Sequence, residues 1–230
     1  MPLRAIVFDF DGVIADSEPL HFRSFRDVLA GEGVELTQDD YYARYLGFND
    51  VEAFRAIGRE HRRSWSTTLV ADLARQKAER MATLERDAPV LFPGAADTIR
   101  RAAEAVPIAI ASGALGSEIR RILDRAGLTR EFTAIVAAED TAASKPSPDP
   151  YQRALALLSR AVDGVEIRPG DCVAIEDSRW GLESARAAGL RTVAVTNSYD
   201  AAELASADLI IPSIARLDLM DLHRLCATGA

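Results

Sequence analysis

An α/β architecture, a doubly wound parallel sheet with a Rossmann-like core and an inserted helical cap domain, is predicted by three features of the sequence. Short apolar runs rich in Ile, Val and Ala recur without polar alternation, as strands covered on both faces require. Segments with helical spacing separate them, and right-handed crossovers then make the doubly wound order the default. From Thr37 to Arg86 the alternation stops, and nothing in that stretch reads as a strand.

The first run, Ala5-Ile6-Val7-Phe8, ends on Asp9-Phe10-Asp11-Gly12-Val13. In such a sheet the ligand site lies beyond the carboxyl ends of the strands. Asp and Gly at a strand end also make turns or cap the next helix. Here Asp16 and Ser17, just before Glu18-Pro19-Leu20, already supply a helix start, which leaves Asp9 and Asp11 spare.

A helix is predicted from Ser17 to Ala30, closed by Gly31 and Gly33. Thr37 and Asp39 can cap a second, carrying Tyr41, Tyr42, Tyr45 and Leu46. Others run from Asp50 toward Gly58 and from Ser66 to Leu84, and this helical block reads as a small separate lobe. Phe92-Pro93-Gly94 marks the return to α/β rhythm. Helices Ala95 to Ala105, Ser117 to Ala126, Pro150 to Ser159 and Gly181 to Ala188 alternate with strands Ile108 to Ala111, Ala134 to Ala137, Cys172 to Ile175 and Thr192 to Val195. A short helix and the strand Leu209 to Ile211 complete the sheet. The expected boundaries are 1–15 with 89–230 for the core and 16–88 for the cap.

With 230 residues and 48% hydrophobic content, the chain can bury a core as one domain, or one with an insertion. A net charge of -8 argues against nucleic acid or an anionic membrane as partner. Two cysteines, Cys172 and Cys226, make no disulfide framework. Neither a leader nor a bilayer-length apolar run is evident, so a cytoplasmic protein is expected. A monomer is the expectation, with nothing in the sequence fixing the oligomeric state.

The residues just beyond each strand carry the chemistry. The first strand gives Asp9 and Asp11, the second Ser112 and Gly113, the third Glu139-Asp140 and then Lys145-Pro146, the fourth Glu176-Asp177-Ser178. A parallel sheet brings these ends to one edge. Two like charges ~4 Å apart repel by about 4 kcal/mol at an effective dielectric near 20, so Asp9, Asp11, Glu176 and Asp177 together call for a cation or for protonation. Hard oxygen ligands with room for water and a phosphate oxygen suit magnesium. Singly, Lys145 reads as a solvated loop lysine, and Ser112 and Glu176-Asp177 as helix caps. Jointly, at four strand ends, they read as one site.

With these residues in place, the chain resembles the haloacid dehalogenase-like hydrolase superfamily along essentially its full length. Asp9-Phe10-Asp11-Gly12-Val13 matches the family's first motif, Ser112 the second, Lys145 the third and Glu176-Asp177-Ser178 the fourth. The resemblance implies that Asp9 is a nucleophile forming an aspartyl phosphate and that Asp11 is the general acid and base. It implies a Mg2+ site at Asp9, Asp11 (through its carbonyl), Glu176 and Asp177, with phosphate held by Ser112, Gly113 and Lys145. Asp11 is absent from members that attack carbon, so its presence points to phosphoryl transfer.

The helical block resembles the family's small cap, and Asp16 to His21 resembles the first hinge of the beta-phosphoglucomutase-like branch. By that resemblance His21 would approach Asp11, Gly47-Phe48-Asn49 would form a specificity loop, and Lys77 would reach the substrate's far end. Lys77 also reads as a solvated helix lysine, and Phe48 equally as core. A mutase of this branch carries an arginine after the loop glycine and a lysine and asparagine after the second-motif residue. Here Gly47-Phe48-Asn49-Asp50-Val51 and Ser112-Gly113-Ala114-Leu115-Gly116 offer neither. Each lost charge-assisted contact costs ~1.5–3 kcal/mol. A phosphatase of small phosphorylated metabolites is therefore expected, with the mutase second. A non-catalytic phosphate- or metal-binding relative stands third. A nucleotide-cofactor binder lacks the G-x-G-x-x-G after the first strand.

Overall fold

The central strand β1 (Ala5–Phe8) is buried at every residue. The computed structural model describes residues 3–45, 48–87, 90–162 and 167–227. In it β1 pairs in parallel with β2 (Ile108–Ala111) on one side and β4 (Cys172–Glu176) on the other. With β3 (Ala134–Val136), β5 (Arg191–Val195) and β6 (Leu209–Ile211), the sheet order is β3-β2-β1-β4-β5-β6. The order reverses between β1 and β4, which makes the carboxyl ends of those two strands the switch point where such sheets bind ligands.

Both faces of the sheet are apolar, which explains why the strands show no alternation. One face is built of small side chains, Ala5, Val7, Ala109, Ala111, Cys172 and Ala174. Against it lie Tyr151, Ala154 and Leu158 of a helix spanning Asp149–Ala161. The other face carries the larger Ile6, Phe8, Ile108, Ile110, Val173 and Ile175, all fully buried.

The chain divides into two compact units, Met1–Asp16 with Leu91–Ala230 and Ser17–Val90. Residues 88 and 89, where the sequence puts the second joint, lie outside the described residues. The Ser17–Val90 unit contains α1 (Glu18–Gly31), α2 (Gln38–Arg44), α3 (Asp50–Glu60) and α4 (Thr67–Asp87). Its core gathers Phe25, Leu29, Tyr41, Phe54, Ile57, Val70 and Leu73, with the Phe25 and Phe54 rings 4.9 Å apart. Thr37 caps α2 by accepting from the Asp40 amide, and Asn49 caps α3 by accepting from the Glu52 amide.

The sheet unit adds α5 (Ala95–Ala105), α6 (Gly116–Ala126), α7 (Asp149–Ala161), α8 (Arg179–Ala187) and α9 (Leu219–Ala227). Most ends fall within two residues of the sequence expectation, the ordinary scatter of helix termini. Two points differ. The segment between β5 and β6 forms turns over Ala201–Ser206 rather than the expected short helix. There the Leu204 amide reaches Asp200 across a helical span while the Glu203 and Ala207 amides close three-residue turns. Helix α9, absent from the sequence expectation, buries Leu222 and Cys226. Among the described residues no helix is long and apolar enough to cross a membrane.

Candidate active site

Asp9 directly follows β1, and its amide donates to the Ile175 carbonyl of β4 at 2.9 Å, one step beyond the last strand pair. Its position is therefore set by the sheet ladder. Ser112 is fixed likewise, its amide donating to Val136 at 3.0 Å. After Asp9 the chain closes a tight loop, with the Ile14 amide on Phe10 at 2.8 Å and the Gly12 amide on Ala15 at 2.9 Å. Gly12 sits at φ 78°, and a Cβ there would lie 1.8 Å from Asp177 Oδ2. Only glycine allows both that backbone and that approach.

Oxygens of Asp9, Glu176 and Asp177, all buried, lie within 4.8 Å of one another. The Lys145 ammonium enters this group from the loop before α7, donating to Asp9 Oδ1 and Glu176 Oε1, both at 2.6 Å. Glu176 is fully buried. Its Oε1 also accepts from the Tyr151 hydroxyl at 2.6 Å, and its Oε2 from the Asp177 amide and Ser178 hydroxyl at 3.3 Å. That carboxylate stands against the first turn of α8, so close that a Cβ on Gly181 would meet Oε2 at 1.9 Å. Helix N-termini favour negative charge at such a position.

Burial pushes the Asp9 carboxyl well above the usual range, and the neighbouring Glu176 and Asp177 add to this against the pull of Lys145. Burial and Glu176 likewise push Asp177 up to about 7, against a lowering bond from Ser198. For Lys145 burial alone would lower the ammonium's pKa, but the Asp9 and Glu176 carboxylates outweigh it and hold it raised. The site thus concentrates more negative charge than its lysine offsets, the environment in which a divalent cation is favoured. The donors fit: they are hard carboxylate oxygens, at the carboxyl ends of β1 and β4.

Asp11 is half-buried and close enough for its charge to raise Asp177, though its carboxylate is not part of the three-acid group. The Ser112 hydroxyl accepts from the Ala114 amide at 3.1 Å, holding a turn and keeping its proton available. Gly113 is exposed, with nothing within 4 Å of where a Cβ would stand. Glu139 and Asp140, expected on the same rim, are instead used locally: Glu139 accepts from the Gly116 amide and Asp140 from the Ala137 amide.

In the helical unit, the residues singled out by resemblance take different places. Lys77 is buried, not the solvated lysine its helix position also allowed, because its ammonium is taken up by Asp50 Oδ1 at 2.8 Å and His21 Nδ1 at 2.6 Å. It also lies 5.0 Å over the Phe25 ring. Phe48 is exposed, edge-on to Tyr45, so a core role is excluded; Asn49 is the α3 cap. Gly47 lies outside the described residues.

Three further residues touch the site without having been read from the sequence. The Ser198 hydroxyl donates to Asp177 Oδ2, the Asn197 amide donates to the Gly12 carbonyl at 2.7 Å, and Tyr151 holds Glu176. The signal available for the first two was their place just beyond β5, the same strand-end rule that found the others.

Three comparisons show which known proteins the chain is similar to. A family model described as haloacid dehalogenase-like hydrolase matches residues 6–195. Protein CbbY of Rhodobacter capsulatus is 33% identical over 225 residues, covering 94% of this chain and 95% of that protein. Fructose-1-phosphate phosphatase YqaB of Escherichia coli is 30% identical over 190 residues, covering 83% of this chain and 95% of that protein. The crystal structure of CbbY from Rhodobacter sphaeroides in complex with phosphate superposes with a TM-score of 0.77 at 31% identity, covering 94% of this chain and 96% of that one.

Proposed function

This chain belongs to the haloacid dehalogenase-like hydrolases and is a phosphoric monoester hydrolase of that family, and we propose that it releases phosphate from small sugar phosphates through a magnesium-dependent aspartyl-phosphate route. The observation that supports this most directly is the Lys145 ammonium, 2.6 Å from Asp9 Oδ1 at the switch point of the sheet.

In this reading Lys145 orients the Asp9 carboxylate through Oδ1, and Oδ2 forms the bond to phosphorus while the bond to the ester oxygen breaks. Asp11 gives its proton to the departing alcohol. Asp11 then takes a proton from water as that water attacks the phosphoryl group, which frees inorganic phosphate and restores Asp9. The Ser112 hydroxyl, the Gly113 amide and Lys145 hold the phosphoryl oxygens. Asp9, Glu176, Asp177 and the Asp11 carbonyl would hold Mg2+, with Glu176 also bracing Lys145; the ion would supply positive charge to the transferring group.

The helical unit is read as the cap that selects the alcohol portion of the ester. Lys77 is committed to Asp50 and His21, which favours a polyhydroxylated neutral portion over a second phosphate, and so favours the phosphatase over the mutase. Fructose 1-phosphate, the compound named for the Escherichia coli relative, represents the substrate class.

Incubation with an aryl phosphate tests the reaction: phosphate release that needs Mg2+ and stops with chelator is expected. For the fork, beta-glucose 1-phosphate with a trace of the bisphosphate should give free phosphate faster than glucose 6-phosphate. The opposite order would make the protein a mutase.

A further inference from the structure

Tyr151 of α7 is fully buried in a cluster with Ala, Val and Cys of the sheet and Ala and Leu of the helices. A phenol in such surroundings carries a cost that a phenylalanine would not, unless its hydroxyl is satisfied. The hydroxyl is satisfied by an acid of the reaction centre, Glu176 Oε1 at 2.6 Å. The same oxygen accepts from Lys145 Nζ at 2.6 Å, and Lys145 Nζ reaches Asp9 Oδ1 at 2.6 Å. The ammonium also lies 5.3 Å over the Tyr151 ring. Lys145 and Tyr151 thus sit on one loop-and-helix segment, and both are tied to the last residue of β4.

We propose that Tyr151 is a positioning residue of the phosphoryl-transfer centre, its hydroxyl fixing Glu176 so that this carboxylate aims the Lys145 ammonium at Asp9 and the incoming phosphate. The proposal rests on the phosphatase reading. The remaining donors to Glu176, the Asp177 amide and Ser178 hydroxyl, stand at 3.3 Å on the other oxygen. They are long contacts and bear on Oε2, so the short bonds from Tyr151 and Lys145 set the direction of Oε1. Without the phenol, Oε1 would answer to Lys145 alone, and the two would shift together. Burial, with Glu176 and Asp9 nearby, pushes the phenol far above its ordinary titration range, so it remains a donor throughout the working pH range.

Tyr151→Phe keeps the ring and removes only the hydroxyl. In the full chain with Mg2+, its melting temperature should stay within a few degrees of the parent. Its kcat/KM on an aryl phosphate should fall about tenfold, the lower end of the weight of a hydrogen bond to a charged group. Calorimetric affinity for inorganic phosphate should fall severalfold. In a Glu176→Gln background the same change should add little, because the hydroxyl acts through that carboxylate. Unchanged kcat/KM and phosphate affinity would overturn the proposal, and so would full additivity with Glu176→Gln. A variant that loses its fold assigns the hydroxyl a structural role and overturns it too. If the parent hydrolyses no ester yet Tyr151→Phe weakens phosphate binding, the phosphatase reading fails and the positioning role stands. A parent that neither hydrolyses nor binds phosphate overturns both.

Discussion

Lys145 Nζ and Asp9 Oδ1 are 2.6 Å apart, although 136 positions separate the two residues along the chain. That pair brings the third and first motifs together. It also helps the Asp9 carboxylate lie buried beside Glu176 and Asp177, since the ammonium serves Asp9 and Glu176 together. An ammonium shared between two acids offsets the charge of one of them, and the surplus defines what the site attracts.

Replacing Asp9, the proposed nucleophile, separates chemistry from folding. Asp9→Asn should retain the fold and reduce phosphate release from an aryl phosphate to background, since an amide cannot form the acyl phosphate. Circular dichroism and a malachite-green assay on the same sample check this. Turnover that persists in Asp9→Asn would remove Asp9 from its role.

Asp11→Ala should lower kcat/KM, which reports the step in which the alcohol departs, by about 10²–10⁴-fold, the usual range for a general acid. The loss should be larger for an alkyl phosphate than for a nitrophenyl phosphate, whose leaving group needs no proton. Equal losses across the two esters would argue that Asp11 has another part.

Removal of the metal should make stability depend on pH. Asp177 is raised from 3.8 to about 7 by burial and by Glu176. A raised carboxyl contributes stability that is full below the unfolded value and is lost as pH climbs through the folded one. The chelated protein should therefore lose melting temperature between pH 4 and pH 7. Added Mg2+ should restore more at pH 8 than at pH 5. Thermal melts with chelator or Mg2+ at both pH values check the sign, and a metal-induced gain that is larger at pH 5 would contradict it.

The ion pair inside the helical unit should be felt as stability. Asp50→Ala leaves the buried Lys77 ammonium to His21 alone and should cost about 1–2 kcal/mol, discounted from the fully buried case because the Asp50 side chain is 35% exposed. Lys77→Met in the same background should recover part of that loss, because the stranded charge is then gone. Urea denaturation of the single and double variants measures both steps.

The sequence made the strand-end residues legible for a simple reason. Asp9, Ser112 and Glu176 each terminate or directly follow a short apolar run, and a parallel sheet delivers such ends to one edge. Lys145 needed only its loop to follow β3 and lead into α7. Tyr151 was not legible, because apolar helix periodicity gives a buried tyrosine and a buried phenylalanine the same position. Nor was the burial of Lys77: spacing along α4 says which residues share a face, not that Asp50 and His21 meet there. The turn run over Ala201–Ser206 escaped because Ala and Glu favour helices on propensity alone. Tertiary pairing of Asp208 with Thr192, whose amide donates to the Asp208 carboxylate at 2.7 Å, governs where that segment must end.

The alanine-rich side of the sheet has an effect beyond packing. Because Ala109, Ala111 and Ala174 are so small, the helix bearing Tyr151 rests near the backbone of the strands. Lifting that helix by the width of a methyl or two would carry the phenol away from Glu176. With Tyr151 in its proposed role, interior positions facing this helix should influence catalytic rate from a distance, and a larger residue there should slow turnover before it melts the protein.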